Sequence, residues 1–247
     1  MDNNAKFSKI FHQISKNFFA GRKIKVVRRE DQPEEWKTTY YKSYPRLPKI
    51  DLDDNPPSAD FFDLIKKRQS RRDFTRGYIT KRDLSLILKY SCGEIGPLGD
   101  GRHRRAQPSG GARFPIEVYP ILFRSGEDLS AGLYHYNVKY HKLDVLWDRE
   151  FGDKVINDIF IYPWVKDVAL GLVMTSVFWR NQNKYGERGY RQILLEAGHI
   201  GQNVYLVSEA LGLKCCALAG TRDENLEKLI DIDGITESVV YTLVIGK

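Results

Sequence analysis

The stretch NKYGERGYRQILLEAGHIGQNVYLVSEALGL, residues 183–213, determines how the rest of this 247-residue chain is interpreted. Its apolar residues recur every three or four positions, which predicts an amphipathic helix over residues 187–211 with Gly212 as its C-terminal stop. Lys184 and Tyr185 precede this helix on a predicted loop. The pattern therefore places two side chains capable of proton transfer at the start of a long buried element.

Shorter elements lie on both sides of this helix in mixed order. β-Branched and aromatic runs predict strands at residues 116–123, 132–136, 142–146, 168–175, 214–218 and 238–245. Helical spacing predicts helices at residues 5–19, 60–68, 81–90 (with Thr80 as N-cap), 150–160 and 223–230. Because no regular βαβ alternation occurs, the pattern favours an α+β sheet packed by helices over a doubly wound sheet.

The N-terminal part of the chain differs from the rest in composition. Residues 22–57 are charged, carry five prolines and end in DLDDNPP. This composition predicts an extended arm that is ordered by packing onto another surface, with a partner subunit as one candidate. The sequence is therefore divided into an N-terminal helix and arm, residues 1–58, and a main domain, residues 59–247.

Composition excludes some broad classes of protein. An apolar content of 42% is ample for a core, so disorder of the whole chain is excluded. The first 18 residues lack a signal-peptide core, and the longest nearly apolar run, residues 168–179, is shorter than the roughly 20 residues of a membrane span. With three cysteines, two of them adjacent, a disulfide framework is not expected. These features predict a cytoplasmic protein that does not span a membrane.

The chain carries 39 basic and 32 acidic residues, a net charge of +7, which allows nucleic acid, an acidic surface or a phosphorylated small molecule as partner. The basic clusters at residues 22–29, 66–72 and 102–105 lack the interleaved aromatics of a single-strand binding surface. A nucleic-acid partner is therefore not expected.

Two short segments are candidate binding elements. In KKRQSRR, residues 66–72, Arg68, Ser70 and Arg72 could converge on one phosphate, although a solvated charge run would look the same. In PSGGA, residues 108–112, two glycines let a planar ligand approach the backbone closely, although a plain connecting loop would use similar residues. Neither a dinucleotide fingerprint nor a P-loop occurs in the sequence.

The long predicted helix carries a polar stripe of Gln192, Glu196, His199 and Asn203. Because a di-iron bundle needs the E-x-x-H pair twice and the chain has it once, no metal site is predicted, and buried hydrogen bonds are the preferred interpretation.

Lys184 and Tyr185 are protonated in water at neutral pH, so either acts as a base only if desolvation or a nearby positive charge lowers its pKa. Arg188 and Arg191 are the nearest cations along the sequence. An exposed lysine beside a surface tyrosine is the simpler alternative.

These pieces, in this order, resemble the nitroreductase-like flavoenzymes, and more narrowly the SagB-type dehydrogenases that include the thiazole- and oxazole-forming peptide oxidases. The resemblance covers nearly the whole chain, from His12, Ser15 and Lys16 to a final strand closing on Gly246. It is carried by YKSYPRLP, RQSRRDF, RRAQPSGGARFPIEVY, GLYHYN and KYGERGYRQILLEAGHIGQN, of which the last is the most specific.

The resemblance implies an α+β nitroreductase-like fold with a mostly antiparallel sheet, which forms a homodimer with FMN bound between the subunits. It assigns the flavin phosphate and ribityl end to Arg68, Gln69, Ser70 and Arg72, and the isoalloxazine to Pro108, Ser109, Gly110 and Gly111. It also assigns proton abstraction to Lys184 and Tyr185, with Lys184 as the favoured base. The implied reaction oxidises a peptide thiazoline or oxazoline to the azole with hydride transfer to flavin N5, and O2 reoxidises the flavin.

Other readings of the same residues stay open. An NAD(P)H-dependent nitro- or quinone reductase would have the same flavin site, and a scaffold that binds peptide or partner proteins could keep the fold without catalysis. A peptide substrate would need delivery by a partner such as a cyclodehydratase, or recognition by the arm. The family turn commonly reads Ser-Ala-Gly-Ala with an apolar residue next, whereas Arg113 follows here, which predicts a charge beside the cleft.

Overall fold

A computed structural model describes residues 4–16, 27–98 and 103–247. The helices in these ranges are α1 (Asn4–Ile14), α2 (Glu34–Lys37), α3 (Phe61–Lys67), α4 (Lys81–Cys92), α5 (Asp153–Ile159), α6 (Trp179–Tyr185), α7 (Glu187–Ala210) and α8 (Asp223–Ile230). The strands are β1 (Lys49–Asp51), β2 (Glu94–Pro97), β3 (His103–Arg105), β4 (Ile116–Leu122), β5 (Gly132–Asn137), β6 (Lys142–Trp147), β7 (Leu170–Val177), β8 (Lys214–Leu218) and β9 (Glu237–Gly246).

Seven of the strands form one sheet in the order β1-β6-β5-β4-β7-β9-β8, and each adjacent pair is antiparallel. The central pair, β4 and β7, is aligned from Ile116 opposite Ser176 to Leu122 opposite Leu170. Strands β2 and β3 form a separate antiparallel pair. The predicted α+β fold with a mostly antiparallel sheet is confirmed.

Helices cover both faces of the sheet because alternate strand residues point to opposite sides. Val118 and Leu172 belong to a core that α4 and α7 complete, whereas Tyr119 and Val173 belong to a second core completed by α5 and α8. Helix α7 is thus buried along the face that faces the sheet. Its two ends position the candidate sites.

Most predicted elements are present with boundaries shifted by one to three residues. Thr80 caps α4, its Oγ1 accepting from the Asp83 N–H at 3.0 Å, and Gly212 follows α7 with a φ of 68°. The first helix ends at Ile14, short of the predicted residue 19, and residues 17–26 lie outside the described ranges. One prediction is wrong: Lys184 and Tyr185 end α6 and do not lie on a loop.

The arm lies on its own chain in the described residues 27–58. Strand β1 extends the sheet beside β6, and the Lys49 Nζ atom is 2.9 Å from Asp144 Oδ1. Lys42 Nζ binds Glu237 Oε2 and, at 2.6 Å, Tyr119 Oη. Buried charges of the sheet therefore anchor the predicted extended segment.

Two further features concern the class of protein. No helix of the described ranges is both long enough and apolar enough to cross a bilayer. The three cysteines, Cys92, Cys215 and Cys216, are buried free thiols.

Candidate active site

The turn at residues 108–112 is a short 3-10 turn over Gly110–Ala112. The Ser109 hydroxyl closes it by accepting from the Phe114 N–H at 2.9 Å, and Gly111 has a φ of 66°, where a side chain is strained. The local sequence therefore makes a rigid turn with two glycines on its surface.

This turn packs against the segment that carries the Lys-Tyr pair. A Cβ atom on Gly111 would collide with the Tyr185 hydroxyl, and one on Gly110 would collide with the amide oxygen of Gln192. The positive φ of Gly111 further favours glycine there, whereas a side chain at position 110 would force the Gln192 amide to shift. The structure thus brings two elements together that lie more than 70 positions apart in the sequence, and both were predicted to belong to the site.

Helix α6 ends at the Lys-Tyr pair because Gly186 has a φ of 53° and turns the chain into α7. The Lys184 Nζ atom donates to Gln32 Oε1 at 2.9 Å. Burial raises the pKa of Tyr185, and the positive charge of Arg113 opposes that shift only in part. The phenol is therefore protonated at neutral pH.

The cation beside Tyr185 is not one of the two predicted from sequence proximity. Arg188 Nη1 donates to the Ser15 carbonyl at 3.0 Å, and Arg191 Nη2 donates to the Ser15 hydroxyl at 2.6 Å, so both hold α1 onto α7. Arg113 takes their place.

Arg113 was predicted to put a charge beside the cleft, but it is only 1% exposed. Its Nε donates to the Arg180 carbonyl at 2.7 Å, and its Nη1 donates to the Thr38 carbonyl at 2.8 Å. Because both acceptors are backbone oxygens, this arginine ties the turn, α6 and the arm together. Its charge acts on Tyr185 from within the fold.

The second candidate element, residues 68–72, lies beside the other end of α7. The Arg68 guanidinium lies 5.4 Å from the ring centroid of Tyr205, and the Ser70 hydroxyl is 2.8 Å from Tyr205 Oη. That same phenol oxygen accepts from the Ala217 N–H of β8 at 2.7 Å. Tyr205 therefore joins the Arg68–Ser70 segment to the edge strand of the sheet.

The neighbouring residues of this segment have different environments. Arg71 pairs with Glu209 at 3.3 Å, and the exposed Gln69 amide oxygen, in the orientation that satisfies both groups, accepts from Arg71 at 3.3 Å. Arg72 lies beside the Cys216 thiol. Burial raises the pKa of this thiol, and Arg72 opposes that rise. Neither Arg68 nor Arg72 forms an ion pair with a carboxylate in the part of the chain that the structure describes. Two guanidinium groups without acidic partners suit an anionic ligand.

An open cleft of about 380 Å³, which the sequence did not indicate, is lined in part by Ala217, whose N–H donates to the Tyr205 hydroxyl. Its walls come from the end of β8, the middle of β9 and the start of α8: Ala217, Leu218, Ala219, Thr221, Asp223, Val239, Val240, Tyr241 and Thr242. Its volume is within the range of small-ligand sites. These residues carry no polar motif, so no signal in the sequence pointed to them.

The predicted binding residues form two clusters that do not meet within one chain. The arginine cluster (Arg68, Ser70, Arg72) lies at Tyr205, whereas the turn cluster (Ser109, Gly110, Gly111) lies at Gln192 and Glu196. Glu196 and Tyr205 are nine positions apart on α7, about 13 Å at about 1.5 Å per residue. The turn cluster and the Lys-Tyr pair share one end of α7, and the arginine cluster lies toward the other.

The polar stripe of α7 is buried only at Glu196, while Gln192 and Asn203 are half-buried, so the predicted buried hydrogen bonds are present in part. Glu196 is 2% exposed and accepts from Gln107 Nε2 at 3.2 Å, while Asn203 Nδ2 donates to the Ser91 carbonyl at 3.1 Å. His199 is exposed. Burial raises the pKa of Glu196 to about 7, and hydrogen bonds from Ser109 and Gln107 and the charges of Arg105 and Arg180 reduce this shift. A titratable carboxyl therefore lies directly behind the turn cluster.

Replacing this carboxyl, as in Glu196→Gln, is expected to change how stability depends on pH. The pKa of Glu196 is raised from 4.5 to about 7 in the folded chain, so the wild-type protein loses about 3 kcal/mol as the pH rises through that window. The glutamine variant does not titrate and keeps this stability. Urea unfolding at pH 5 and pH 8 measures the difference, and parallel pH profiles of the two proteins would contradict the assignment.

Comparison with known proteins gives this geometry a context. A sequence model described as the nitroreductase family matches residues 65–247. A Methanocaldococcus jannaschii protein named as a nitroreductase is 29% identical over 170 residues, which is 69% of this chain and 83% of that protein. The trifolitoxin-processing protein of Rhizobium leguminosarum bv. trifolii is 30% identical over 172 residues, 66% of this chain and 46% of the relative.

The microcin B17-processing protein of Escherichia coli is 33% identical over 164 residues, 62% of this chain and 58% of the relative. The chain thus spans about half the length of the trifolitoxin and microcin relatives.

Two solved structures share the fold. A chain of the E. coli microcin synthetase complex with truncated pro-microcin bound matches with a TM-score of 0.61 at 23% identity, over 100% of this chain and 94% of that chain. A nitroreductase-like protein of Exiguobacterium sibiricum, solved in complex with FMN, matches with a TM-score of 0.53 at 13% identity, over 79% of this chain and 90% of that chain. At these identities the likeness establishes the fold.

Proposed function

This chain belongs to the nitroreductase family, and from that premise we propose that it is an FMN-dependent dehydrogenase that oxidises a peptide thiazoline or oxazoline to the azole. The predicted resemblance to nitroreductase-like flavoenzymes and their SagB-type members is confirmed. The observation that carries the proposal is the packing of the Tyr185 phenol on Gly111, since it joins the Lys-Tyr pair to the glycine turn.

The residues present fit FMN. Arg68, Ser70 and Arg72 offer two guanidinium groups and a hydroxyl for a phosphate. Ser70 contacts Tyr205, whose hydroxyl accepts from the Ala217 N–H on the wall of the cleft of about 380 Å³. Gln69 lies beside them in the sequence. In the turn of Pro108, Ser109, Gly110 and Gly111, two residues have no side chain, which lets a planar ring approach the backbone. When bound, FMN would supply a hydride acceptor at N5.

The chain's own residues supply the proton chemistry. The substrate ring loses a proton from one carbon to the Lys184 amine and a hydride from the neighbouring carbon, so that two hydrogens and two electrons leave together. Tyr185 remains protonated and orients the ring or its proton by donating a hydrogen bond. We propose O2 as the oxidant that restores the cofactor.

We propose a homodimer, since the arginine cluster and the turn cluster do not meet within one chain. A second copy could bring the turn cluster of one subunit to the arginine cluster of the other. Apolar side chains that suit such an interface are exposed on α7, where Leu194 is 40% and Leu195 60% exposed, and on α3, where Phe62 is 70% exposed.

The division into an arm, residues 1–58, and an FMN-binding domain, residues 59–247, is part of the same proposal, and the family model begins near it at residue 65. Two sequence relatives are named for processing trifolitoxin and microcin B17, and a matching chain comes from a microcin synthetase complex. We therefore propose a peptide substrate and a cyclodehydratase partner that supplies the azoline.

The purified protein, incubated with FMN and an azoline-containing peptide, tests the function. The expected product has lost two hydrogen atoms by mass, and no such loss with flavin bound would contradict the proposal. Steady-state oxidation of NAD(P)H with a nitro or quinone acceptor would instead support a reductase, which the M. jannaschii relative favours. A protein that binds no FMN would support a scaffold.

Replacing an arginine of the cluster, as in Arg68→Met, is expected to weaken FMN binding by about 10- to 100-fold because one charge-assisted hydrogen bond is lost. Arg71→Met is the matched control, since Arg71 already pairs with Glu209. The effect of Arg71→Met on FMN binding should stay within about threefold, because this guanidinium is already neutralised by a carboxylate. Flavin fluorescence titration measures both, and equal losses in the two variants would argue against the assigned phosphate site.

A further inference from the structure

The arm contacts the Lys-Tyr pair directly through its short helix α2 and the turn before it. The Trp36 Nε1–H donates to the Asn183 carbonyl at 3.2 Å, and the Lys184 Nζ atom lies 5.8 Å from the centroid of the Trp36 ring. Gln32 Oε1 accepts from the same Nζ atom at 2.9 Å. Two residues distant in sequence therefore surround the candidate base.

The arm segment that makes these contacts is held on either side of them. The Gln32 Nε2 atom donates to the Val27 carbonyl at 3.1 Å, which fixes the orientation of the amide. The Thr38 carbonyl accepts from the buried Arg113 at 2.8 Å. The Gln32 oxygen and the Trp36 ring are thus preorganised around Lys184.

Both contacts favour the charged form of the amine, so Lys184 takes a ring proton only in the fraction of molecules in which it is neutral, and that fraction grows as the pH rises. An amide oxygen accepts more strongly from an ammonium than from a neutral amine, and the face of an indole ring attracts a cation. Among the described residues, the ionisable groups near this position include Tyr185, whose ring centroid is 5.6 Å from Nζ, and Arg113 beyond that phenol.

We propose that Gln32 and Trp36 are positioning residues for Lys184, which hold its amine in place and stabilise the ammonium that forms when it takes the ring proton. This inference rests on the proposed function, because it takes Lys184 as the base. In the step concerned a ring C–H bond breaks, its proton forms a new N–H bond on Nζ, and the hydride lost from the neighbouring carbon is accepted by the FMN of that proposal. Sequence motifs of the site give no sign of this role, since both residues lie in the arm.

Competitive labelling of the purified chain with acetic anhydride, read by mass spectrometry across a pH series, tests this role without using activity. The measured quantity is the pH at which half of Lys184 is reactive. Gln32→Glu is expected to raise this midpoint by about one pH unit, a roughly tenfold drop in labelling below it, because a carboxylate replaces a neutral acceptor. Gln32→Leu and Trp36→Leu are expected to lower it. If Gln32 had a merely structural role, its two variants would not shift the labelling midpoint of Lys184 in opposite directions.

Matched controls separate this role from general effects. Glu35→Gln, on an exposed residue of α2, should leave the midpoint in place, and Lys154 on α5 gives an internal reference for labelling in each sample. Trp36→Phe keeps an aromatic face and should retain the wild-type midpoint, which covers the case where Trp36→Leu does not fold.

Coincident midpoints for wild type, Gln32→Glu and Gln32→Leu would overturn the inference. Azoline oxidation distinguishes that failure from a failure of the proposed function. If the inference holds, the acid limb of the rate profile should move with the labelling midpoint in each variant. If the wild-type protein with FMN bound oxidises no azoline peptide, the proposed function fails, whereas full activity in Lys184→Ala would leave that function standing and overturn this inference, because the base would lie elsewhere.

Discussion

Replacing the proposed base, as in Lys184→Ala, is expected to lower the rate of azoline oxidation by about 10²- to 10⁴-fold, the usual contribution of a positioned general base. Tyr185 is not expected to take over, because burial raises its pKa and keeps the phenol protonated. FMN binding should be unaffected, since the arginine cluster lies toward the other end of α7. Single-turnover flavin reduction by an azoline peptide, with flavin content measured on the same sample, reports both quantities.

Lys154→Ala is the matched control, because Lys154 is an exposed lysine on α5. It should reduce flavin at the wild-type rate. An unchanged rate in Lys184→Ala would assign the base elsewhere, and loss of flavin from that variant would place Lys184 in the cofactor site. Restoration of activity in the alanine variant by an added primary amine would be further support for a base at this position.

The sequence predicted the elements whose pattern is local. Helix α7 repeats its apolar residues every three or four positions, and β4, β7 and β9 are rich in β-branched residues, so burial and periodicity agree there. Helix α6, WRNQNKY, has no apolar period and was missed. It is held by contacts from far along the chain, such as Trp36 to Asn183 and Arg180 to Glu117.

The candidate site was predictable to the same degree. Local motifs indicated the arginine cluster, the turn and the Lys-Tyr pair as separate elements, and the structure shows that the turn and the pair are in contact. No pattern indicates that Arg113 is buried or that Gln32 reaches Lys184, because the partners lie 67 and 152 positions away. Pairings at such separations arise from the fold itself.

The first turn of α6 is fixed to the sheet by a buried row of alternating charges, which the sequence analysis did not detect. Arg180 pairs with Glu117, Glu117 Oε2 is 2.9 Å from His135 Nε2, and His135 Nδ1 is 3.0 Å from Asp144 Oδ2, which also pairs with Lys49 of the arm. Glu117, His135 and Asp144 are each no more than 4% exposed. The row therefore links α6 and the arm through the interior of the sheet.

Protonation of the row follows from these contacts. Burial acts to raise the pKa of Glu117, but Arg180 and His135 outweigh it and hold that pKa at about 2. Burial acts to lower the pKa of His135, but hydrogen bonds to Asp144 and Glu117 raise it above its usual value. The Glu117 carboxylate thus stabilises the fold above pH 4.5, and this effect is lost as the pH falls toward 2. The His135 imidazolium stabilises the fold below about pH 6.5, and this effect is lost as the pH rises through its raised pKa.

Removing the carboxylate beside Arg180, as in Glu117→Gln, is therefore expected to destabilise the fold by about 3–5 kcal/mol at pH 7, because Arg180 is left buried without its partner. The deficit should shrink as the pH falls from 4.5 toward 2, where wild-type Glu117 also becomes neutral. Urea unfolding at pH 7 and pH 3 measures this deficit, with Glu127→Gln, an exposed acid, as the control.

In Glu117→Gln combined with Arg180→Met, the loss of stability should be smaller than the sum of the losses in the two single variants, since no unpaired guanidinium remains. A deficit below about 1 kcal/mol, as for an exposed pair, or one that is equal at both pH values, would show that the row does not fix α6 to the sheet.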